Sequence, residues 1–190
     1  MAKENEIMIL DVNRGEAIAR LKTLNARHLG ASRYRRIEFL LKGKVRGTRH
    51  SWGRVRTDGR KTTLTVKALM GGGTKVPMEE YEVETANFED TAMVIGKLIN
   101  SPLMLYFENE RDAYILGKTH ITIDKWPEIP CFIEIEAPSM KAAREMHRRL
   151  GISGKLVGNA PIHSVYKRYG LDFKSVMAKN DGKLKRLTKR

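Results

Sequence analysis

Ile121-Thr-Ile-Asp-Lys-Trp-Pro-Glu-Ile-Pro-Cys-Phe-Ile-Glu-Ile-Glu136 alternates at both ends and breaks in the middle. Ile121 and Ile123 face one way, Thr122 and Asp124 the other. Past the break, Ile133 and Ile135 oppose Phe132, Glu134 and Glu136. A period of two marks a strand with one buried face. Trp126-Pro127 and Ile129-Pro130 interrupt it, because proline has no N–H to give to a ladder. The stretch therefore reads as strand, proline turn, strand. Its polar face gathers Asp124, Glu134 and Glu136. Like charges on one sheet face repel unless cations sit among them. A solvated outer face is the simplest reading of this hairpin alone, so the rest of the chain must show whether cations are supplied.

The supply is ample. The 190 residues carry a formal net charge of +14. Such an excess points to polyanion partners, whether nucleotide, polyphosphate or nucleic acid, or to an acidic surface. A chain of this length fits one domain with appendages. No apolar run is long enough to span a membrane. Cys131 is the only cysteine and Met1–Glu6 shows no apolar leader, so a cytoplasmic location is the default expectation.

Outward from the hairpin, further alternating segments appear. Residues 4–12 read as a strand with Glu4, Glu6 and Met8 on one face and Asn5, Ile7 and Ile9 on the other. Asn13 is placed to cap a helix over 14–24, with Glu16 in the capping-box position and Ala17, Ile18, Leu21 and Leu24 as its apolar stripe. Gly30 marks a turn, and 33–41 suits a strand with Arg35 and Arg36 on opposite faces. The basic stretch 42–50 reads as a loop that is either solvated or phosphate-seeking. Segments 52–56 and 62–67 form a hairpin across Asp58-Gly59. Arg54 and Arg56 share one side of it, as do Thr63, Thr65 and Lys67. Residues 70–75 lack the Gly-Lys-Ser/Thr ending of a phosphate-binding loop. Residues 78–84 put Glu80, Glu82 and Glu84 on one face and Tyr81 and Val83 on the other.

A helix follows over 88–99, with Val94, Leu98 and Met93 read as its buried stripe. One or two strands over 103–116 present Arg111 to the polar side. A third helix spans 138–150 with Met146 and Leu150 inside, and 161–173 suits a short docked helix bearing Val165, Tyr166 and Tyr169. Residues 1–173 form the expected domain. Residues 174–190 are basic and poor in apolar groups, and read as a flexible tail.

Strand after strand thus pairs an apolar face with a face of mixed charge. An ordinary barrel keeps its charges outside. Charge of both signs on so many strands fits a closed antiparallel sheet with a polar lumen, its apolar exterior covered by helices. The fold class expected is α+β. In such a lumen arginine and lysine would hold phosphates, and carboxylates would hold Mg²⁺ or Mn²⁺, which prefer oxygen ligands and bridge to phosphate oxygens.

The ordered set Glu4-Asn-Glu6, Arg54-Val-Arg56, Leu64-Thr-Val-Lys67, Glu80-Tyr-Glu82-Val-Glu84, Arg111 ahead of Tyr114, Ile123-Asp-Lys-Trp-Pro127 and Phe132-Ile-Glu-Ile-Glu136 resembles the CYTH group, the triphosphate tunnel metalloenzymes. Within that group the resemblance leans to class IV adenylyl cyclases. It implies an antiparallel barrel of about eight strands forming a tunnel. It also implies metal on Glu4, Glu6, Asp124, Glu134 and Glu136, and triphosphate on Arg35, Arg54, Arg56, Lys67 and Arg111. Glu4, Glu6, Arg54, Lys67 and Arg111 would carry catalysis, and Glu80, Glu82 and Glu84 would bind metal or orient the basic groups. Two positions depart from the family pattern. Met8 stands where the opening Glu-x-Glu-x-Lys motif has lysine, and Glu110 stands where a basic residue is expected. A methionine neither attracts phosphate nor moves a proton, which bears on turnover more than on binding.

Three functions compete. The first is a metal-dependent enzyme on a triphosphate, foremost ATP to cyclic AMP and pyrophosphate, with hydrolysis of thiamine triphosphate or tripolyphosphate as the alternative. The second is a nucleotide- or polyphosphate-binding module whose chemistry Met8 has weakened. The third is nucleic-acid contact through loop 42–50 and the tail, which ranks last because aromatic residues are few and no nucleic-acid motif appears. Either a monomer or a homodimer is compatible with the sequence.

Overall fold

A computed structural model describes residues 5–41, 48–70, 78–99 and 104–188. Glu4 and residues 42–47 of the basic loop lie outside the described residues. The chain divides into two compact units, Met1–Arg33 with Asn109–Phe173 and Tyr34–Glu108 with Lys174–Arg190.

The first unit is built on the opening hairpin. Strands β1 (Glu6–Leu10), β7 (Thr119–Lys125) and β8 (Phe132–Glu136) pair antiparallel, with β8 between the other two. Ile7, Ile9, Ile121, Ile123, Ile133 and Ile135 all fall on one face and are buried. Helices α1 (Arg14–Thr23) and α3 (Met140–Leu150) cover them with Ala17, Leu21, Ala143, Met146 and Leu150. Each fully buried isoleucine contributes about 1.5–3 kcal/mol, so this face fixes the register. Asn13 caps α1 as expected, accepting from the Glu16 N–H at 3.1 Å, and Ser139 caps α3 through the Ala142 N–H. A short strand β9 (Lys155–Gly158), unforeseen from sequence, pairs with β1. Helix α4 (Ile162–Arg168) docks as expected: Val165 and Tyr166 are buried, and the Tyr166 hydroxyl donates to the Pro127 carbonyl at 2.6 Å.

The second unit carries the antiparallel ladders of β2 (Arg27–Leu40) from Tyr34 onward, β3 (Thr48–Thr57), β4 (Thr62–Met70) and β5 (Met78–Thr85). β2 is longer than expected and runs through Gly30, whose φ of +130° is left to glycine. Ile37 and Phe39 of β2, with Val55 of β3, pack on Phe88, Ala92 and Ile95 of α2 (Phe88–Leu98). The predicted stripe of that helix was one step out of phase. Val94 and Leu98 are 51% and 75% exposed, and the i, i+4, i+7 set beginning at Phe88 is inside.

Residues 173–188 hold helices α5 (Phe173–Ala178) and α6 (Asp181–Thr188), and Leu184 and Leu187 pack on the α2 cluster. Gly96 makes the close approach possible, because a Cβ there would lie 2.9 Å from Thr188 Cβ. Two well-spaced leucines sufficed to dock a helix whose composition reads as solvated.

With β6 (Met104–Leu116), a single strand, the order is β5-β4-β3-β2-β6-β7-β8-β1-β9. The class is α+β with a large antiparallel sheet and several helices. Among the described residues no hydrogen-bonded pairing closes this sheet, whose end strands are β5 and β9.

Candidate functional site

The polar faces of the two units differ in make-up. In the first unit the register sets Glu6 opposite Glu136 and Met8 opposite Glu134. Glu134 in turn lies opposite Thr122, and Asp124 opposite Arg111. Arg111 is the hub. Its Nε donates to Asp124 Oδ1 at 2.8 Å and its Nη2 to Glu134 Oε2 at 2.6 Å. Asp124 is fully buried, and it also accepts from Thr122 Oγ1 at 2.7 Å and Asn109 Nδ2 at 3.3 Å. A buried carboxylate needs such partners, since losing hydration without replacement is very costly. Asp124 thus holds Arg111, and Arg111 reaches Glu134.

Glu6, Glu134 and Glu136 occupy neighbouring register positions of two paired strands, Glu134 being held by Arg111. Among the described residues no group of three or more His, Cys, Asp or Glu side chains is gathered to hold a metal. Still, the donors are all hard oxygens. Mg²⁺ commonly takes only one or two carboxylates and completes its shell with water and phosphate oxygens, so the donor set fits Mg²⁺ or Mn²⁺. Met8 sits among them, 2% exposed.

In the second unit Arg36 and Glu38 of β2 lie opposite Arg56 and Arg54 of β3. These pair onward with Thr63 and Thr65 of β4, and then with Glu84 and Glu82 of β5. Lys67 pairs with Glu80, their side chains 2.7 Å apart. Arg54 stands farther off, 3.9 Å from Glu80 and 4.0 Å from Glu82. Thr65 donates to Glu82 at 2.7 Å, and Lys61 lies 3.1 Å from Glu84. The guanidinium groups of Arg36 and Arg56 each lie 5.2 Å from the Tyr34 ring centroid, a cation–π arrangement that keeps them on this face.

Burial, and then the charge of Arg56, lower the affinity of the Arg54 guanidinium for its proton, and the nearby carboxylates only partly offset this. Arg54 Nε is buried with no hydrogen-bond partner among the described residues. Burial raises the Glu38 carboxyl above its usual range against the pull of Arg36, Arg54 and Lys67. Cations crowded this closely, with a donor unspent, form a face suited to an anion with several oxygens.

The sequence had placed Arg54, Arg56, Lys67 and Glu80–Glu84 on this face, and the register puts them there. Arg35, expected among the phosphate-binding groups, is on the other side. Its Nη2 meets Glu89 Oε1 at 2.6 Å and its guanidinium stacks on Phe88 at 4.4 Å. It lines a separate pocket of about 460 Å³ with Tyr106, Glu108 and Lys183. Arg36 takes the place proposed for it. Two adjacent arginines point to opposite faces of a strand, and only pairing with Arg56 shows which is which. Glu38, Tyr34, Thr122 and Asn109 were not singled out. The available signal was their i, i+2 spacing from Arg36, Asp124 and Arg111.

The CYTH domain profile matches residues 39–147, more than half of the chain. Among solved structures, the PH1012 protein of Pyrococcus horikoshii OT3 is 20% identical, with 80% of this chain and 92% of that one covered at a TM-score of 0.63. A Vibrio parahaemolyticus protein provisionally assigned as an adenylate cyclase is 12% identical, with 79% and 89% covered and a TM-score of 0.60. HpAC1 of Hippeastrum, a provisionally assigned adenylyl cyclase described as having a dominant triphosphatase activity, is 16% identical, with 89% and 97% covered and a TM-score of 0.57. At these identities the likeness is one of fold. No curated protein gives a significant match. The profile match, covering strands from both polar faces, shows that this chain belongs to the CYTH domain family.

Proposed function

We propose that this chain is a divalent-metal-dependent enzyme acting on a triphosphate, foremost on ATP to give cyclic AMP and pyrophosphate. The observation that carries this reading is the face bearing Arg36, Arg54, Arg56 and Lys67, with the buried Nε of Arg54 unspent. These groups bind and orient the phosphates, and in phosphoryl transfer positioning and charge neutralisation do most of the work. Arg111, held by Asp124, orients Glu134, and Glu6, Glu134 and Glu136 are the groups that would hold Mg²⁺ or Mn²⁺. When bound, the ion neutralises charge on phosphate oxygens. The closed barrel with a polar lumen is part of this proposal.

In the cyclase reaction the ribose 3′-oxygen gives up its proton to solvent and bonds to the α-phosphorus, while the bond from that phosphorus to the α,β-bridging oxygen breaks and pyrophosphate leaves. Hydrolysis would instead bring water to the terminal phosphorus and release orthophosphate. The activity described for HpAC1 makes this the alternative to test. A third reading, a binding module, is favoured by Met8, an apolar residue buried among carboxylates at the position of the family lysine.

The test is a product assay with ATP, thiamine triphosphate and tripolyphosphate in Mg²⁺ or Mn²⁺, resolved by ³¹P NMR. A Glu134→Ala, Glu136→Ala double variant is the control. Cyclic AMP with pyrophosphate, absent from the control, is expected. Orthophosphate moves the protein to the hydrolases. No turnover, with tripolyphosphate still raising the melting temperature, leaves the binding module.

A further inference from the structure

One charged group on the cationic face has no place in the scheme above. Glu38 lies directly across from Arg54 in the β2–β3 register, and Arg36 stands two residues before it on the same face. Among the described residues no hydrogen bond and no ion pair within 4 Å engages it, yet Arg36, Arg54 and Lys67 all act on it electrostatically. Two influences of opposite sign therefore meet at one carboxyl. Burial favours its neutral form, and the three cations favour its ionised form. Whatever quenches those cations removes the only influence that keeps Glu38 charged.

A polyphosphate does this. It brings several negative charges to Arg36, Arg54, Arg56 and Lys67, neutralises them, and repels an ionised Glu38. We propose that Glu38 is the proton-accepting group of this face, taking up one proton from solvent when a polyphosphate binds. The inference rests on the reading that the face binds phosphate. The surrounding groups leave Glu38 as the one carboxyl in this position. On β3 they are Arg54 and Arg56. On β4 they are Lys67 and the uncharged Thr65, which is spent on Glu82. On β5, Glu80 is paired with Lys67, and Glu82 with Thr65. Glu108 of β6 lies in the Arg35 pocket on the other side, where Tyr106 and Lys183 engage it.

The sign follows from linkage. A group that gains a proton on binding makes the ligand bind more tightly as pH falls, over the range where it is ionised when free and neutral when occupied. The affinity should therefore change by up to about tenfold per pH unit within that range.

The experiment is calorimetric titration of tripolyphosphate into the full chain from about pH 5 to about pH 8, in buffers of differing ionisation heat. The wild type should take up as much as one proton more than Glu38→Gln. Its affinity should gain on that variant as pH falls, and Glu38→Asp should restore the uptake. Equal uptake and parallel pH dependence in wild type and Glu38→Gln would overturn this inference alone. No binding by either protein would overturn the phosphate reading and this inference with it. Should Glu38→Gln fold poorly, carboxyl ¹³C NMR on the wild type decides. The Glu38 resonance should move toward its protonated position on adding tripolyphosphate, and an unmoved resonance would refute the proposal.

Discussion

The two polar sheet faces obey the same alternation but have opposite charge balance. On β2–β4, Arg36, Arg54, Arg56 and Lys67 face a single carboxylate, Glu38, with the acids of β5 along the edge. On β1, β6, β7 and β8, Glu6, Asp124, Glu134 and Glu136 face one guanidinium, Arg111. Arg111 is spent internally, with two carboxylates at 2.8 and 2.6 Å. Arg54 is not, its nearest carboxylates being 3.9 and 4.0 Å away. The difference separates two roles that a sequence writes with the same letter. A saturated arginine holds its own unit together, whereas an arginine held off its partners keeps its hydrogen bonds for a ligand.

The sharpest way to break this comparison is to remove each arginine. Arg111→Ala leaves the fully buried Asp124 uncompensated and should cost on the order of 3 kcal/mol in denaturant unfolding. Arg54→Ala should leave the stability of the ligand-free protein nearly unchanged. It should instead weaken tripolyphosphate binding about ten- to hundredfold by calorimetry, as expected for one lost charge-assisted contact. Equal stability losses would erase the distinction.

Met8→Lys sharpens it from the acidic side. The new ammonium stands opposite Glu134 and should raise triphosphate turnover about tenfold, a barrier change of roughly 1.4 kcal/mol. Because the site is buried, a melting-point loss should accompany the gain. Unchanged turnover would show that charge at this position is not limiting.

The smallest effects lie within the cationic face and depend on pH. Burial acts to raise the Glu82 carboxyl, but the Thr65 hydrogen bond and the charges of Arg56 and Arg54 outweigh it, and the net shift is downward. Its stabilisation is present above the unfolded-state value of about 4.3 and lost as pH falls through the folded value. Glu82→Gln should therefore melt below the wild type at neutral pH and converge with it in acid. The effect is modest, because the side chain is 36% exposed and screened. Glu38, shifted upward by burial, behaves oppositely. The stability associated with its protonated form is complete below the unfolded value and lost as pH rises through the folded one. Glu38→Gln should thus gain on the wild type as pH rises. Parallel melting curves for the two variants would remove the electrostatic difference claimed between these carboxyls.

Most of the strands were legible in the sequence, because a one-sided burial pattern repeats every two residues whatever the partner strand. The 121–136 hairpin, the Asp58-Gly59 hairpin, the Asn13 cap and the polar grouping of Arg54, Arg56, Lys67 and Glu80–Glu84 follow from spacing alone. What spacing cannot supply is phase relative to a distant strand. Only the pairing of β2 with β3 sends Arg36 to the polar face and Arg35 to Glu89. Only the packing of α2 on Ile37 and Val55 selects Phe88, Ala92 and Ile95 over Val94 and Leu98. The basic C-terminal residues gave no periodic signal strong enough to outweigh their charge, and they are helical because Leu184 and Leu187 find an apolar surface already formed by other elements. Which residue types alternate along each strand can be read from the chain alone, because side-chain direction is a local property of extended backbone. Which carboxylates meet a cation is settled by the fold, because charge pairing acts over a few ångströms between strands far apart in the chain.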